Sequence, residues 1–352
     1  MEETSMKHMS IKTFGNNLLS GVAIAILAGL IPNAILGEIF KALAPKYPFF
    51  LNLLHIVQSI QFTIPALIGT AIAIKFKLNP LATVVVASAT FVGSGVAQLK
   101  GQVWVLAGVG DLINAIITAG IAVLIILIIG ERVGSLGLIF LPIIAGGGAG
   151  FLGLLTLPYV RYITTSIGQM INHFTELQPI LMSILIALSY SFIIISPLST
   201  VAISLAIGIN GLAAGSASMG VVAAEAVLVW GTMKVNRAGV PLTIFLGGVK
   251  MMLPNMIKHP IMLLPVFTNA IITGLGGALI GTGGTKESAG FGIIGLIGPI
   301  NAFRFLEYSP IVSGILVFIA FFVIPFFFGW LINLFYVKVL KLYTNDIYKF
   351  EL

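Results

Sequence analysis

The stretch LQPILMSILIALSYSFIIISPLSTVAISLAIGINGLAAGSASMGVVAA, Leu177–Ala224, carries no charged side chain, and Glu176 and Glu225 bound it. An apolar run of roughly 18 or more residues is a candidate membrane span, and this one is long enough for two, divided near Pro197. A water-soluble fold would need two consecutive helices that are hydrophobic all round to hide it. Similar charge-free windows run over 13–37, 47–74, 78–99, 112–130 and 133–160. Lipid is therefore the solvent for most of the chain.

Composition points the same way. The 352 residues are 58% hydrophobic and 8% charged, with a mean hydropathy of +1.12. An average soluble domain is about a quarter charged. Long continuous runs, not short alternating strands, indicate helices and not a transmembrane barrel. The expected fold is an all-α polytopic membrane protein of about ten transmembrane helices, two re-entrant hairpins and an amphipathic connector. The chain has no cysteine, so disulfides, thiolate metal sites and cysteine catalysis are excluded. No HExxH, P-loop or nucleophile elbow is present, and neither a cofactor nor a metal is expected. In a membrane protein the net charge of +7 reads as loop lysines and arginines that set orientation, not as nucleic-acid binding. The first apolar run is about span length and lacks a small-residue cleavage site, so no signal peptide is evident.

The texture changes after residue 162. Ile163, Ile167, Met170, Ile171, Phe174 and Leu177 recur at helical spacing, opposite Thr164, Thr165, Gln169, Asn172, His173 and Glu176. That pattern predicts an amphipathic connector over 163–177, suited to a membrane surface. It divides a scaffold half, 1–162, from a transport half, 178–337, with a polar tail at 338–352. In the second half, residues 238–258 and 281–304 are apolar but broken by glycine, proline and isolated charges. Irregular backbone survives at membrane depth only where it lines a cavity or is buried in protein, and re-entrant hairpins at a solute site are the usual reason. Lysines near both ends place both termini in the cytoplasm.

Ionisable groups amid apolar sequence are functional candidates by default. Glu287 lies in a flexible loop, Gly283–Gly292, where a carboxylate can accept hydrogen bonds from substrate hydroxyls; Thr285 and Lys286 precede it. A solvated Lys286–Glu287 surface loop is the plainer reading. His259 belongs to the segment Leu253–Pro260 with Asn255, close to Lys250, and equally reads as a histidine at a helix start by the water interface. With Arg304, these lysines make the polar segments cationic. That fits an anionic substrate, orientation bias, or docking of a phosphorylated partner. Glu225, inside an apolar helix, needs a partner or must stay protonated; ion coupling and an interhelical hydrogen bond are its two readings. Asp111 reads as a helix cap, Glu38 as water-facing, and His55 and His173 have no assigned role. The G-x-x-G spacing at Gly208 and Gly211 indicates close helix packing.

Taken together, Gly283–Gly292, Asn255–Pro260 and Ala206–Ala224 resemble the membrane (IIC) component of the bacterial phosphoenolpyruvate-dependent sugar phosphotransferase system. The chain is most similar to the branch that includes the clostridial perfringolysin regulatory protein, over nearly its whole length. The loop around Glu287 resembles that family's Gly-Ile-Thr-Glu-Pro segment, whose glutamate contacts the sugar. Here Ser288 stands where proline is usual and Lys286 precedes the acid. His259-Pro260 resembles a hairpin histidine placed beside the sugar. The resemblance implies a homodimer built on the first half and a solute held between the hairpins. It also implies elevator-like movement of the second half and phosphorylation by a IIB protein, acting in trans on this cysteine-free chain. Two further classes remain open: a membrane-embedded ligand sensor that alters gene expression through a partner, and an ion-coupled symporter using Glu225.

Overall fold

The computed structural model describes residues 10–129, 133–286 and 288–350. Almost every described element is helical. The chain forms two compact units, Met1–Ile163 and Thr164–Glu351. Among the described residues, five helical segments are long and apolar enough to cross a bilayer: Leu112–Ile129, Gly137–Phe174, Gly211–Thr232, Pro260–Ile280 and Pro310–Val339. A pair bent by 47°, Phe49–Gln61 with Ile64–Lys75, passes the same criterion jointly, and three shorter apolar helices accompany them.

The first unit contains α1 (Ile11–Pro32), α2 (Glu38–Leu43), α3 (Phe49–Gln61), α4 (Ile64–Lys75) and α5 (Pro80–Gly93). Then come β1 (Ala97–Lys100), β2 (Val103–Leu106), α6 (Leu112–Ile129) and α7 (Gly137–Phe140). The helix α8 (Ala149–Phe174) carries the chain out of the unit. Helix α5 starts at Asn79, whose side chain accepts the Ala82 N–H at 2.9 Å, with Pro80 in the first helical position; both are helix-start chemistry.

Small residues set the packing of this unit. A Cβ on Gly93 would sit 2.8 Å from Thr118 Cβ, and one on Gly153 would sit 2.8 Å from Gly93 Cα. Helices α5, α6 and α8 therefore meet at backbone distance, as apolar solvent favours. At that junction the buried Asn114 amide donates to Gly93 O at 2.6 Å and Gly153 O at 2.7 Å. Its carbonyl accepts from the Thr156 hydroxyl at 2.8 Å. One polar side chain thus joins three helices. Asp111 caps α6 as expected, accepting the Asn114 N–H at 2.9 Å.

Two features differ from the sequence expectation. Ala97–Leu106 pairs as an antiparallel hairpin. Its two-residue turn opens at Gly101, which supplies the positive φ (64°) that such a turn requires. The predicted connector over 163–177 is also not a separate element. Its residues up to Phe174 are the last turns of α8, because nothing between Tyr159 and Phe174 removes a backbone donor.

The second unit contains α9 (Pro179–Ile195), α10 (Thr200–Ile207), α11 (Gly211–Thr232), α12 (Gly239–Phe245), α13 (Leu253–Lys258) and α14 (Leu263–Ile280). It ends with α15 (Ile297–Phe305), α16 (Pro310–Phe318) and α17 (Ile324–Leu334). Helix α11 is its axis and is buried on every face for most of its length, as a helix apolar all round must be. Glycines let its neighbours close in. A Cβ on Gly220 would lie 2.7 Å from Ala187 Cα in α9, and one on Gly274 of α14 would lie 2.9 Å from Ser183 O. The buried Asn269 amide donates to Ala223 O and Pro325 O, both at 3.0 Å, joining α14 to α11 and α17. Ahead of Pro325, residues Ile319–Val323 widen into a π-helical turn. Proline has no N–H and cannot continue the α-helical ladder there.

Both broken stretches fall where the sequence places them. The first runs through α12, a 3₁₀ turn at Val249–Met252, and α13, jointed at Gly247 with φ 112°. The second is non-helical from Gly281 to Ile293 and then enters α15. They touch: a Cβ on Gly247 would be 3.1 Å from the Ile294 side chain.

Candidate solute site

The glycine-rich loop lies back along the first turns of α11. Gly211 and Gly284 form an antiparallel bridge, with Gly211 N–H donating to Gly284 O at 2.9 Å and Gly284 N–H to Gly211 O at 3.0 Å. At Gly215 a Cβ would meet the Thr282 carbonyl carbon at 2.6 Å, so only glycine admits the loop. Farther along, the Ser218 hydroxyl donates to Ser288 O at 3.2 Å and the Thr200 hydroxyl to Gly290 O at 2.8 Å. The small-residue run Gly211–Gly220 therefore serves loop seating as well as helix packing.

Ser288 closes the turn that spans 285–288. Its hydroxyl accepts the Thr285 N–H at 2.9 Å and donates to Thr285 O at 3.0 Å. A side-chain turn of this kind fixes backbone as a proline would, which accounts physically for serine at the position where the resemblance expects proline. Thr285 is half-buried and Lys286 exposed. Glu287 lies outside the described residues.

The bridge adjoins a cleft of about 330 Å³ lined by Asn172 in the last turn of α8, Thr175 just after it, Met182 of α9, Ile207–Asn210, Leu212 and Ala213. That volume is at the small end of ligand sites, which run from about 300 Å³ upward. Asn210 sits at the N-cap position of α11 with extended backbone, yet its side chain makes no capping bond. Its amide is exposed and keeps its donors and acceptor available. The Thr175 hydroxyl donates to Asn172 O at 2.6 Å. The cleft thus offers two amide side chains and a hydroxyl on an otherwise apolar wall. A second pocket, about 250 Å³ between Pro299, Phe303 and Val317, is apolar except for Arg304.

The remaining sequence candidates are dispersed around this arrangement. Lys250 is buried, its ammonium directed at backbone carbonyls beyond α9. Asn255 is buried, its amide donating to Ile347 O at 2.8 Å and Lys349 O at 2.9 Å. His259 ends α13 and is exposed. Glu225 is fully buried, and among the described residues neither carboxylate oxygen has a hydrogen-bond partner.

Asn255 works with Asn236 to hold the tail. The Asn236 amide donates to Tyr348 O at 2.9 Å, and its carbonyl accepts the Phe350 N–H at 2.8 Å. Tyr348 is fully buried against Gly231, where a Cβ would be 2.7 Å from the ring. Burial pushes the Tyr343 phenol, next to it, up to about 12. Sequence reading assigned neither this clamp nor the Asn210 cleft. The free N-cap asparagine before Gly211 was the available signal for the cleft.

A mostly helical chain with several helices long and apolar enough to cross a bilayer is, by class, a multi-pass membrane protein. The chain belongs to the phosphotransferase system EIIC family, whose model matches residues 16–350. No match was found among curated proteins or solved structures. Membership makes the chain a phosphotransferase-type permease component for sugar-like solutes, with a IIB protein as its implied partner.

Proposed function

We propose that the permease binds a small hydrophilic solute in the cleft beside Asn210 and the glycine-rich loop. It carries the solute across the bacterial cytoplasmic membrane by elevator-type movement of residues 178–337 relative to a dimeric scaffold, 1–162. Both termini then lie in the cytoplasm. The single observation that supports this reading is the Gly211–Gly284 bridge, which ties the loop to the turn whose neighbouring residues, Asn210 and Leu212, line the cleft. Amide and hydroxyl groups both donate and accept, which suits a polyol more than an apolar ligand. Glu287, two residues past Thr285, supplies a charged acceptor for solute hydroxyls. His259 joins it at the reacting hydroxyl, and the phosphate comes from the phosphorylated IIB protein. Lys286 offers a cation for an anionic solute. Lys250 and Asn255 support the neighbouring backbone.

Glu287→Gln tests the assignment. A hydrogen bond to a charged group is worth roughly 1.5–3 kcal/mol, so solute affinity should fall about 10- to 100-fold while the thermal unfolding midpoint holds. Unchanged affinity removes Glu287 from the site. The unpaired burial of Glu225 favours one second reading, ion-coupled symport. Uptake into vesicles free of phosphotransferase proteins, driven by an ion gradient, would select it.

A further inference from the structure

Helix α9 stops at Ile195, and α10 begins at Thr200. The break is Ser196-Pro197-Leu198-Ser199. Pro197 has no N–H, so the Ile193 carbonyl loses its i+4 donor and accepts the Ser196 hydroxyl instead, at 2.8 Å. The carbonyls of Ser196 and Leu198 lie beyond the helical ladder. These three oxygens converge on one atom, Lys250 Nζ, at 3.4 Å (Ile193), 2.7 Å (Ser196) and 2.6 Å (Leu198). The lysine is buried, and among the described residues no carboxylate pairs with it. Three converging carbonyls at the negative end of a helix form the environment in which discontinuous helices of transporters hold sodium. Three acceptors also match the three N–H donors of an ammonium, one more than a neutral amine provides. The two short contacts have the length of charge-assisted bonds.

We propose that the Lys250 ammonium is a tethered cation occupying a monovalent-cation site built by the carbonyls of Ile193, Ser196 and Leu198. It pins the first broken stretch to the end of α9. The wild-type protein therefore has no use for free sodium or potassium at this site, whatever solute it carries. Removing the side chain would open the site to a free cation of ammonium size.

The test uses the full chain, purified in detergent in choline, sodium, potassium or methylammonium chloride at equal ionic strength. The readout is the thermal unfolding midpoint. Wild type should melt at the same temperature in all four. Lys250→Ala should melt about 5 °C lower in choline and regain at least half of that loss in potassium or methylammonium. Lys250→Met fills the stem's space without a charge, so it should be lowered and indifferent to the salt. A purely structural lysine would give two variants with no cation response. Three results overturn the proposal: an equal Lys250→Ala midpoint in choline and potassium, failure to obtain folded Lys250→Ala in either salt, or a wild type that gains as much from potassium as the variant.

Discussion

Gly215→Val should cut uptake by one to two orders of magnitude, about 10- to 100-fold, while leaving an integral, folded protein in the membrane. The helix does not need glycine at this position; the loop does. Even a Cβ would stand 2.6 Å from the Thr282 carbonyl carbon and 3.1 Å from Gly283 Cα. Valine adds two methyl groups on the same line. Overpacking a close contact costs about 1–3 kcal/mol. The Gly281–Ile293 loop is non-helical, so it should move before α11, which is gripped by α9, α14 and α17, does. Lifting the loop breaks the Gly211–Gly284 bridge, which lies between the cleft residues Asn210 and Leu212. Uptake should drop about 10- to 100-fold, at 1.4 kcal/mol per decade. Gly239→Ala is the control, because nothing lies within 4 Å of its added Cβ. Vesicle uptake measured beside membrane expression level checks the pair. Equal uptake by Gly215→Val and wild type would mean that the loop seat does not govern transport.

Asn114→Leu should be the most destabilising substitution in the first unit. The side chain closes three hydrogen bonds between helices: two from its amide and one to its carbonyl. Hydrogen bonds between membrane helices average about 0.6 kcal/mol and reach about 1.7. Losing three costs roughly 2–5 kcal/mol by the same values, less whatever the Thr156 hydroxyl recovers through its own bond to Gly153 O at 3.0 Å. Leucine is also branched where Gly93 and Gly153 allow backbone approach. The expected result is a lower midpoint in denaturant titration of the purified protein, with Asn114→Gln intermediate. A wild-type midpoint for Asn114→Leu would show that the junction is held by apolar packing alone.

Much of the architecture is legible in the residues because lipid imposes a coarse rule. Charge-free runs of span length become helices, and Leu177–Ala224 alone yields α9, α10 and most of α11. The two breaks are also legible: Gly247, Pro254 and Gly281–Gly292 interrupt apolar sequence in ways no straight helix accommodates. What is not legible is non-local. Lys250 reads as a charge near a hairpin, whereas its partners lie more than 50 positions earlier and are carbonyls, which every residue carries. Asn172 and Asn210 are far apart in sequence and line one cleft only because the chain between them, α9 and α10, returns to the end of α8. Asn255 reads as a polar candidate beside His259, but its partners are in the tail. The β-hairpin at Ala97–Leu106 is short, and its Gly101-Gln102 turn is a weak signal amid helices. The amphipathic stripe over 163–177 does report a change of environment. It carries no information about whether the chain breaks there, and α8 runs through.

The chain's lack of cysteine makes the most direct measurement simple. A lone cysteine at Asn210, which is exposed at the cleft, can be labelled with a maleimide with and without solute. The solute is taken from a panel of hexoses, hexitols and disaccharides by the rise it causes in the thermal midpoint of wild type. Met233→Cys, exposed at the far end of α11, is the reference. If the glycine loop and α11 enclose the solute, saturating solute slows labelling at 210 and leaves 233 unchanged. Labelling at 210 that proceeds at the same rate with saturating solute contradicts the assignment of the cleft.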